Sequence, residues 1–123
     1  MNINESAENY LETILQLSKT LPVVRSVDIA NELGFKKSSV SVAMKNLRLK
    51  KHITVTEAGF IYLTESGKEI AEHVYEKHKM LKSWLCALGV PEDIATEDAC
   101  KIEHVISDKS FEAIKKHVHD FNK

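Results

Sequence analysis

Between residues 5 and 18, Tyr10, Leu11, Ile14, Leu15 and Leu17 fall on one arc of a 3.6-residue period, and Glu8, Asn9 and Glu12 lie off it. That spacing predicts an amphipathic helix, ended by Thr20-Leu21-Pro22 because proline offers no backbone N–H to continue it. Ser26 is placed to cap a short second helix, VDIANEL, with Ile29, Ala30 and Leu33 inward, and Gly34 to close it in the left-handed conformation. A third helix, capped by Ser38 or Ser39, turns Val40, Met44 and Leu47 inward and leaves Ser39, Ser41, Val42, Lys45 and Asn46 pointing elsewhere. Ile53-Thr-Val-Thr and Phe60-Ile-Tyr-Leu-Thr flank Glu57-Ala58-Gly59, the pattern of two strands around a glycine turn. A long helix is then expected from Ser66, or from a cap at Thr64, to about Leu88, stopped by Gly89 and Pro91. Its apolar stripe runs Ile70, Val74, Leu81, Leu85, Leu88, with His78 set on the same stripe. Two further helices are predicted over roughly 92–106 and 108–121, divided near Ser107-Asp108.

Helix, tight turn, helix and hairpin in that order read as a winged helix-turn-helix with a small β-hairpin wing, over residues 1–65. A helical domain over 66–123 follows, so the chain is mainly α. With 123 residues and 43% apolar content it can bury one modest core, which excludes a large multidomain enzyme. The N-terminal MNINESAENYLETILQL has no basic n-region or small-residue cleavage site, and no apolar run approaches about 18 residues. The expectation is a cytoplasmic protein without membrane association. Two cysteines make no disulfide framework; Cys86, in SWLCAL, reads as core.

Charge adds a partner. The net charge is −1, yet residues 20–60 hold seven Lys and Arg against three Asp and Glu, a local +4 that leaves −5 elsewhere. Residues 35–51, FKKSSVSVAMKNLRLKK, carry six basic residues and no acidic one. A solvated helix face would account for such a strip, and so would a polyanion. On a helix-turn-helix, DNA is the polyanion that fits, because the second helix of the motif enters the major groove while basic flanks neutralise phosphates. Arg25, Lys36, Lys37, Lys45 and Arg48 are candidates for phosphate contacts, and Ser38, Ser39 and Ser41 for phosphates or bases. Val42, apolar on a polar face, is either an incidental exposed valine or a contact for thymine methyl groups.

The stretch DACKIEHVIS puts Cys100, Glu103 and His104 at i, i+3 and i+4, within roughly a 100° arc of one helix. A packed cysteine and a solvated Glu-His pair would explain them singly, as a hydrogen-bonded core imidazole would explain His78. Together with Asn9 and Glu12 they make two imidazoles, a thiolate, two carboxylates and an amide oxygen, a donor set suited to a first-row divalent metal.

These residues lie in an order that resembles the metal-dependent repressors typified by the diphtheria toxin repressor and the manganese transport regulator. The likeness runs from Glu8-Asn9-Tyr10-Leu11-Glu12 through Val27-Asp-Ile-Ala, Ser38-Ser-Val, Leu63-Thr-Glu-Ser-Gly-Lys and Glu76-Lys-His78 to Glu103-His104-Val-Ile-Ser. The resemblance implies that Asn9, Glu12, His78, Cys100, Glu103 and His104 occupy metal-ligand positions, and that Ser38, Ser39 and Val42 face DNA. Position 9 is Met in the iron-responsive branch and Asp in the manganese-responsive one; Glu12 is similar to the manganese branch and Cys100 to the iron branch. Lys82 and Thr96 stand where the iron branch has further ligands, so that ancillary site is expected to be absent, as is a C-terminal β-barrel domain. The thiolate favours Fe2+ slightly over Mn2+, and Zn2+, Co2+ or Ni2+ can bind such a set in vitro.

The resemblance implies a repressor of metal-uptake genes rather than an enzyme, acting as a homodimer. Its C-terminal helices would pair, presenting two recognition helices about one helical turn apart to a palindromic operator. Two rival readings stay open: a metal-independent or small-molecule-sensing winged-helix regulator, and, more remotely, a zinc hydrolase with Glu103 as base.

Overall fold

Helix α1 (Glu5–Ser18) forms where the 3.6-residue apolar period places it, and it buries Tyr10, Leu11, Ile14 and Leu15. The computed structural model describes residues 5–121, in which six helices and one two-stranded antiparallel hairpin account for the regular structure. The chain divides into two compact units, Met1–Glu72 and His73–Lys123, and the division falls inside the fourth helix.

In the first unit, α2 (Ser26–Leu33) and α3 (Lys37–Leu49) pack Ile29, Ala30, Val40, Met44 and Leu47 against the α1 stripe. Ser26 is not the cap expected of it. Arg25 holds that position in extended conformation, and its N–H is taken by the Asp28 carboxylate at 2.9 Å. Gly34 closes α2 as expected, at φ 69, with its N–H on the Ala30 carbonyl. Helix α3 likewise starts earlier than its serines suggest, with Lys36 as cap, so Ser38 and Ser39 lie within its first turn.

The wing is shorter than its alternating sequence suggests. Strands β1 (Ile53–Val55) and β2 (Ile61–Leu63) pair in the register Ile53↔Leu63, Thr54↔Tyr62 and Val55↔Ile61. Thr56 and Phe60 belong to the turn, where Gly59, at φ 84, donates to the Thr56 carbonyl. Ile53 and Ile61 point into the core, and Val24 adds an isolated rung beside Ile61. The Arg25 guanidinium lies 4.8 Å from the centre of the Phe60 ring, steadying the wing from its other side.

Between α3 and β1 the chain turns through Lys51, the one non-glycine at positive φ (64) among the described residues. A lysine there costs roughly 1 kcal/mol, which the surroundings must offset. They do so through helix α4 (Glu65–Ala87), which begins against this turn. Thr64 caps it: its Oγ1 accepts the Gly67 N–H at 3.3 Å and its carbonyl the Lys68 N–H at 2.8 Å. Gly67 is buried so tightly that a Cβ there would stand 1.9 Å from the His52 carbonyl oxygen.

The second unit comprises the remainder of α4, α5 (Glu92–Val105) and α6 (Asp108–Phe121). Val74, Leu81, Ala95, Ala99 and Phe111 form its core. Burying Phe111 completely is worth about 2–3 kcal/mol. Ser107 starts α6, its Oγ accepting the Ser110 N–H at 3.1 Å. Leu88 departs from the expected stripe, since α4 ends at Ala87 and the Leu88 side chain is exposed. Cys86, expected in the core, is half-buried.

A polar contact absent from the sequence reading joins α4 to α6. His73 Nε2 and the buried Lys77 Nζ both lie 2.9 Å from Asp108 Oδ1, and the imidazole and the ammonium sit one helical turn apart on α4. Hydrogen bonds from His73 and then Lys77 lower the Asp108 pKa from 3.8 to about 2. A carboxylate with a depressed native pKa stabilises above its unfolded value, and that contribution fades as pH falls from about 4 to about 2. Asp108 is well exposed, so screening reduces the contribution to about 1 kcal/mol or less. Urea unfolding should show Asp108→Asn less stable by that amount near neutral pH, with the gap closing towards pH 2. A gap that persisted unchanged at pH 2 would refute the charge assignment. Beside this contact, the Lys115 ammonium bonds Glu76 and holds its carboxyl below the usual range.

Candidate metal centre and nucleic-acid interface

Helix α5 carries the candidate centre because its period separates two tasks. Ala95 and Ala99 fill the buried face with small side chains, while Cys100, Glu103 and His104 rise on the adjoining arc. One ligand atom from each of these three lies within 4.8 Å of the others. Two atoms bound to one ion at about 2.0–2.3 Å are at most roughly 4.6 Å apart, so these three atoms stand at or just beyond ligating separation. Their burial is graded: Cys100 is exposed, the His104 side chain is 9% exposed, and the Glu103 side chain is fully enclosed.

Glu103 is the chemical oddity. Its Oε2 lies 2.8 Å from His78 Nδ1, which brings the α4 imidazole into the group. Its Oε1, equally buried, accepts no hydrogen bond among the described residues, although His104 Nε2 stands 3.3 Å away. An enclosed carboxylate oxygen without a donor is unfavourable by several kcal/mol, and among the described residues its ion-pair partners are imidazoles, not Lys or Arg. The buried negative charge, the oxygen without a donor among the described residues and the neighbouring thiol and imidazoles fit a divalent cation. Tyr75, one turn before His78, stacks on its ring at 6.5 Å between centroids and limits where the imidazole can swing.

Four of the six expected ligands, His78, Cys100, Glu103 and His104, are thus gathered within the second unit. The other two, Asn9 and Glu12, lie in the first unit on consecutive turns of α1, and both are half-buried. Lys82 is paired with Glu92 at 3.3 Å, and the Thr96 hydroxyl donates to the Glu92 carbonyl at 2.8 Å, so both of those side chains are engaged within the protein.

The first unit places all nine nucleic-acid candidates on its surface. Arg25, Lys36, Lys37, Ser38, Ser39, Ser41, Val42, Lys45 and Arg48 are each exposed, and Val42 is 61% exposed. Ser26, Ser41, Lys45 and Arg48 line one shallow recess beside β1, where hydroxyls and cations face the same solvent volume. Tyr62, not among the residues expected to face DNA, is exposed at the middle of the wing opposite Thr54. The alternation of Ile61, Tyr62 and Leu63 was the available signal.

Residues 2–56 match the model of the iron dependent repressor N-terminal DNA binding domain, and residues 64–123 that of the iron dependent repressor metal binding and dimerisation domain. An uncharacterized HTH-type transcriptional regulator of Methanocaldococcus jannaschii is 35% identical over 115 residues, 92% of each chain. The transcriptional regulator MntR of Salmonella typhi is 30% identical over 109 residues, covering 89% of this chain and 69% of its own. Among solved structures, the manganese regulator SloR superposes with a TM-score of 0.82 at 28% identity, over 97% of this chain and 55% of that one. The IdeR of T. acidophilum superposes with a TM-score of 0.80 at 26% identity, over 91% and 53%. The chain therefore spans about half the length of these two solved relatives.

Proposed function

We propose, from the premise that this chain belongs to the iron-dependent repressor family, that it is a metal-responsive DNA-binding repressor whose sensor is the Cys100, Glu103, His104 and His78 group. One observation carries the assignment: the Glu103 carboxylate is enclosed among imidazoles and a thiol, with one oxygen lacking a donor. No helix of the described residues is long and apolar enough to cross a membrane.

In this reading, residues 1–65 bind DNA and residues 66–123 hold metal and dimerise through the C-terminal helices. A divalent cation would neutralise Glu103 and the Cys100 thiolate and cross-link α4 to α5. His78 would exchange its Glu103 bond for a ligand role, and Glu12 with Asn9, from α1, would complete the donor set. Lys36, Lys37, Lys45, Arg48 and Arg25 take phosphates of a palindromic operator; Ser38, Ser39, Ser41 and Val42 face its bases. Metal and operator must then tighten each other by the same factor. The relatives include a manganese regulator and members of an iron-dependent family, and the mixed donor set sits between them. Cys100, the one soft ligand, favours Fe2+ over Mn2+.

The test uses a duplex selected from a random pool by the protein in the presence of Mn2+. Its affinity is measured at one fixed salt concentration with chelator, Mn2+ or anaerobic Fe2+. Affinity at least tenfold higher with metal is expected. Cys100→Asp should keep metal-dependent binding while shifting the preference towards Mn2+, since it exchanges a soft for a hard donor. Equal affinity in chelator and in metal would sink the proposal.

A further inference from the structure

The turn that ends the recognition helix is held by the first turn of α4 with more bonds than a simple connection needs. Two consecutive carbonyls are engaged. The Lys51 oxygen accepts from Thr64 Oγ1 at 2.7 Å and lies 3.2 Å from Ser66 Oγ. The His52 oxygen accepts the Thr64 N–H at 3.0 Å and is the atom that excludes any side chain at position 67. The two hydroxyls are 3.1 Å apart, and His52 Nδ1 lies 3.0 Å from Ser66 Oγ. With a proton on His52 Nδ1, every member has a donor or acceptor role: the ring donates to Ser66, and both hydroxyls donate onward to the Lys51 carbonyl.

On the other side of the turn, the His52 N–H bonds the carbonyl of Leu47, a buried residue of the last turn of α3. The left-handed Lys51 lies between these two anchorages, and a lysine persists in that conformation only where its surroundings over-determine it. Helix α4 then runs without a break from Glu65 to Ala87, so the same helix that clasps the turn carries His78 further along.

We infer that the Thr64–Ser66 hydroxyl clasp on the Lys51 carbonyl positions the recognition helix for DNA, tying the end of α3 to the helix that bears His78. This deepens the proposed function and rests on it. Thr64 and Ser66 touch neither DNA nor metal in that reading; they act through the turn. Loss of the clasp should leave metal affinity intact and uncouple it from DNA binding, which a merely structural pair of hydroxyls would not do selectively.

The experiment compares wild type, Thr64→Val/Ser66→Ala, and Thr64→Ser, which keeps the hydroxyl. Mn2+ affinity without DNA is read by calorimetry, and affinity for the Mn2+-selected duplex is read with Mn2+ and with chelator. The double variant is expected to bind Mn2+ within about twofold of wild type, while the gain in DNA affinity on adding Mn2+ falls by about tenfold; Thr64→Ser should retain the gain. A double variant that keeps the wild-type gain overturns the inference. So does one that loses Mn2+ affinity in parallel. If the double variant does not fold, Ser66→Ala alone must show a reduced gain at unchanged Mn2+ affinity, and an unreduced gain overturns the inference equally. A wild-type protein with no gain at all overturns the metal reading itself, and the clasp's role falls with it.

Discussion

Replacing Glu103 by glutamine is expected to lower affinity for Mn2+ or Fe2+ by at least about 100-fold, more than the loss of an outer-shell partner produces. The isosteric amide keeps a bond to His78 but is a far weaker ligand than a carboxylate. At a metal concentration near 100 times the dissociation constant, the wild type should gain about 2.7 kcal/mol of stability, and the variant almost none. Without metal the order is expected to invert or level. The wild-type carboxylate is enclosed with one oxygen lacking a donor, and removing that charge relieves the metal-free fold. Thermal melts with Mn2+ and with chelator separate the two cases. A carboxylate placed for structure alone would make the variant less stable in chelator and leave any metal-induced gain intact.

The second large effect concerns a residue with no chemistry. Alanine in place of a glycine inside a helix normally stabilises it by about 1 kcal/mol. At Gly67 the sign is expected to reverse, with Gly67→Ala destabilising the first unit by about 3 kcal/mol. The added methyl would stand 1.9 Å from the His52 carbonyl oxygen, a backbone atom held by the Thr64 N–H and unable to step aside without giving up that bond. Urea unfolding measures the loss directly. A variant as stable as wild type would mean that α4 can withdraw from the turn at little expense.

These two residues mark how far the sequence could be read. Cys100, Glu103 and His104 are visible because a helix converts spacing along the chain into proximity; three residues on one arc must meet. By its helical period His78 showed itself only as a polar residue on an apolar stripe; its place among the ligand positions came from the family resemblance. That it bonds Glu103, 25 residues further on, depends on how α4 packs against α5, which no local period encodes. Gly67 is harder still. A lone glycine in a helical pattern reads as a weakness, whereas here it marks the closest approach of two backbones.

The N-caps of α2 and α3 departed from expectation for a related reason, while Gly34 and Thr64 cap as expected. Ser26, Ser38 and Ser39 are good capping residues, but the bend of the chain sets where each helix starts, and Arg25 and Lys36 occupy those positions instead. Lys77 carries a similar lesson in the second unit: lysines are almost never buried unpaired, and this one is buried with Asp108 meeting it from another helix. Helix periods, the hairpin and the order of elements were legible because each is fixed within a few residues of chain.

If the α5 group holds metal as proposed, its graded burial would set a clock as well as an affinity. Glu103 is sealed and His104 nearly so, but Cys100 faces open solvent, where water can take its place one bond at a time. In the proposed sensor, exchange of a bound cation would therefore start at Cys100, with Glu103 and His104 the enclosed ligands behind it. A sensor whose outermost ligand is also its most labile follows present supply, and carries little memory of what came before.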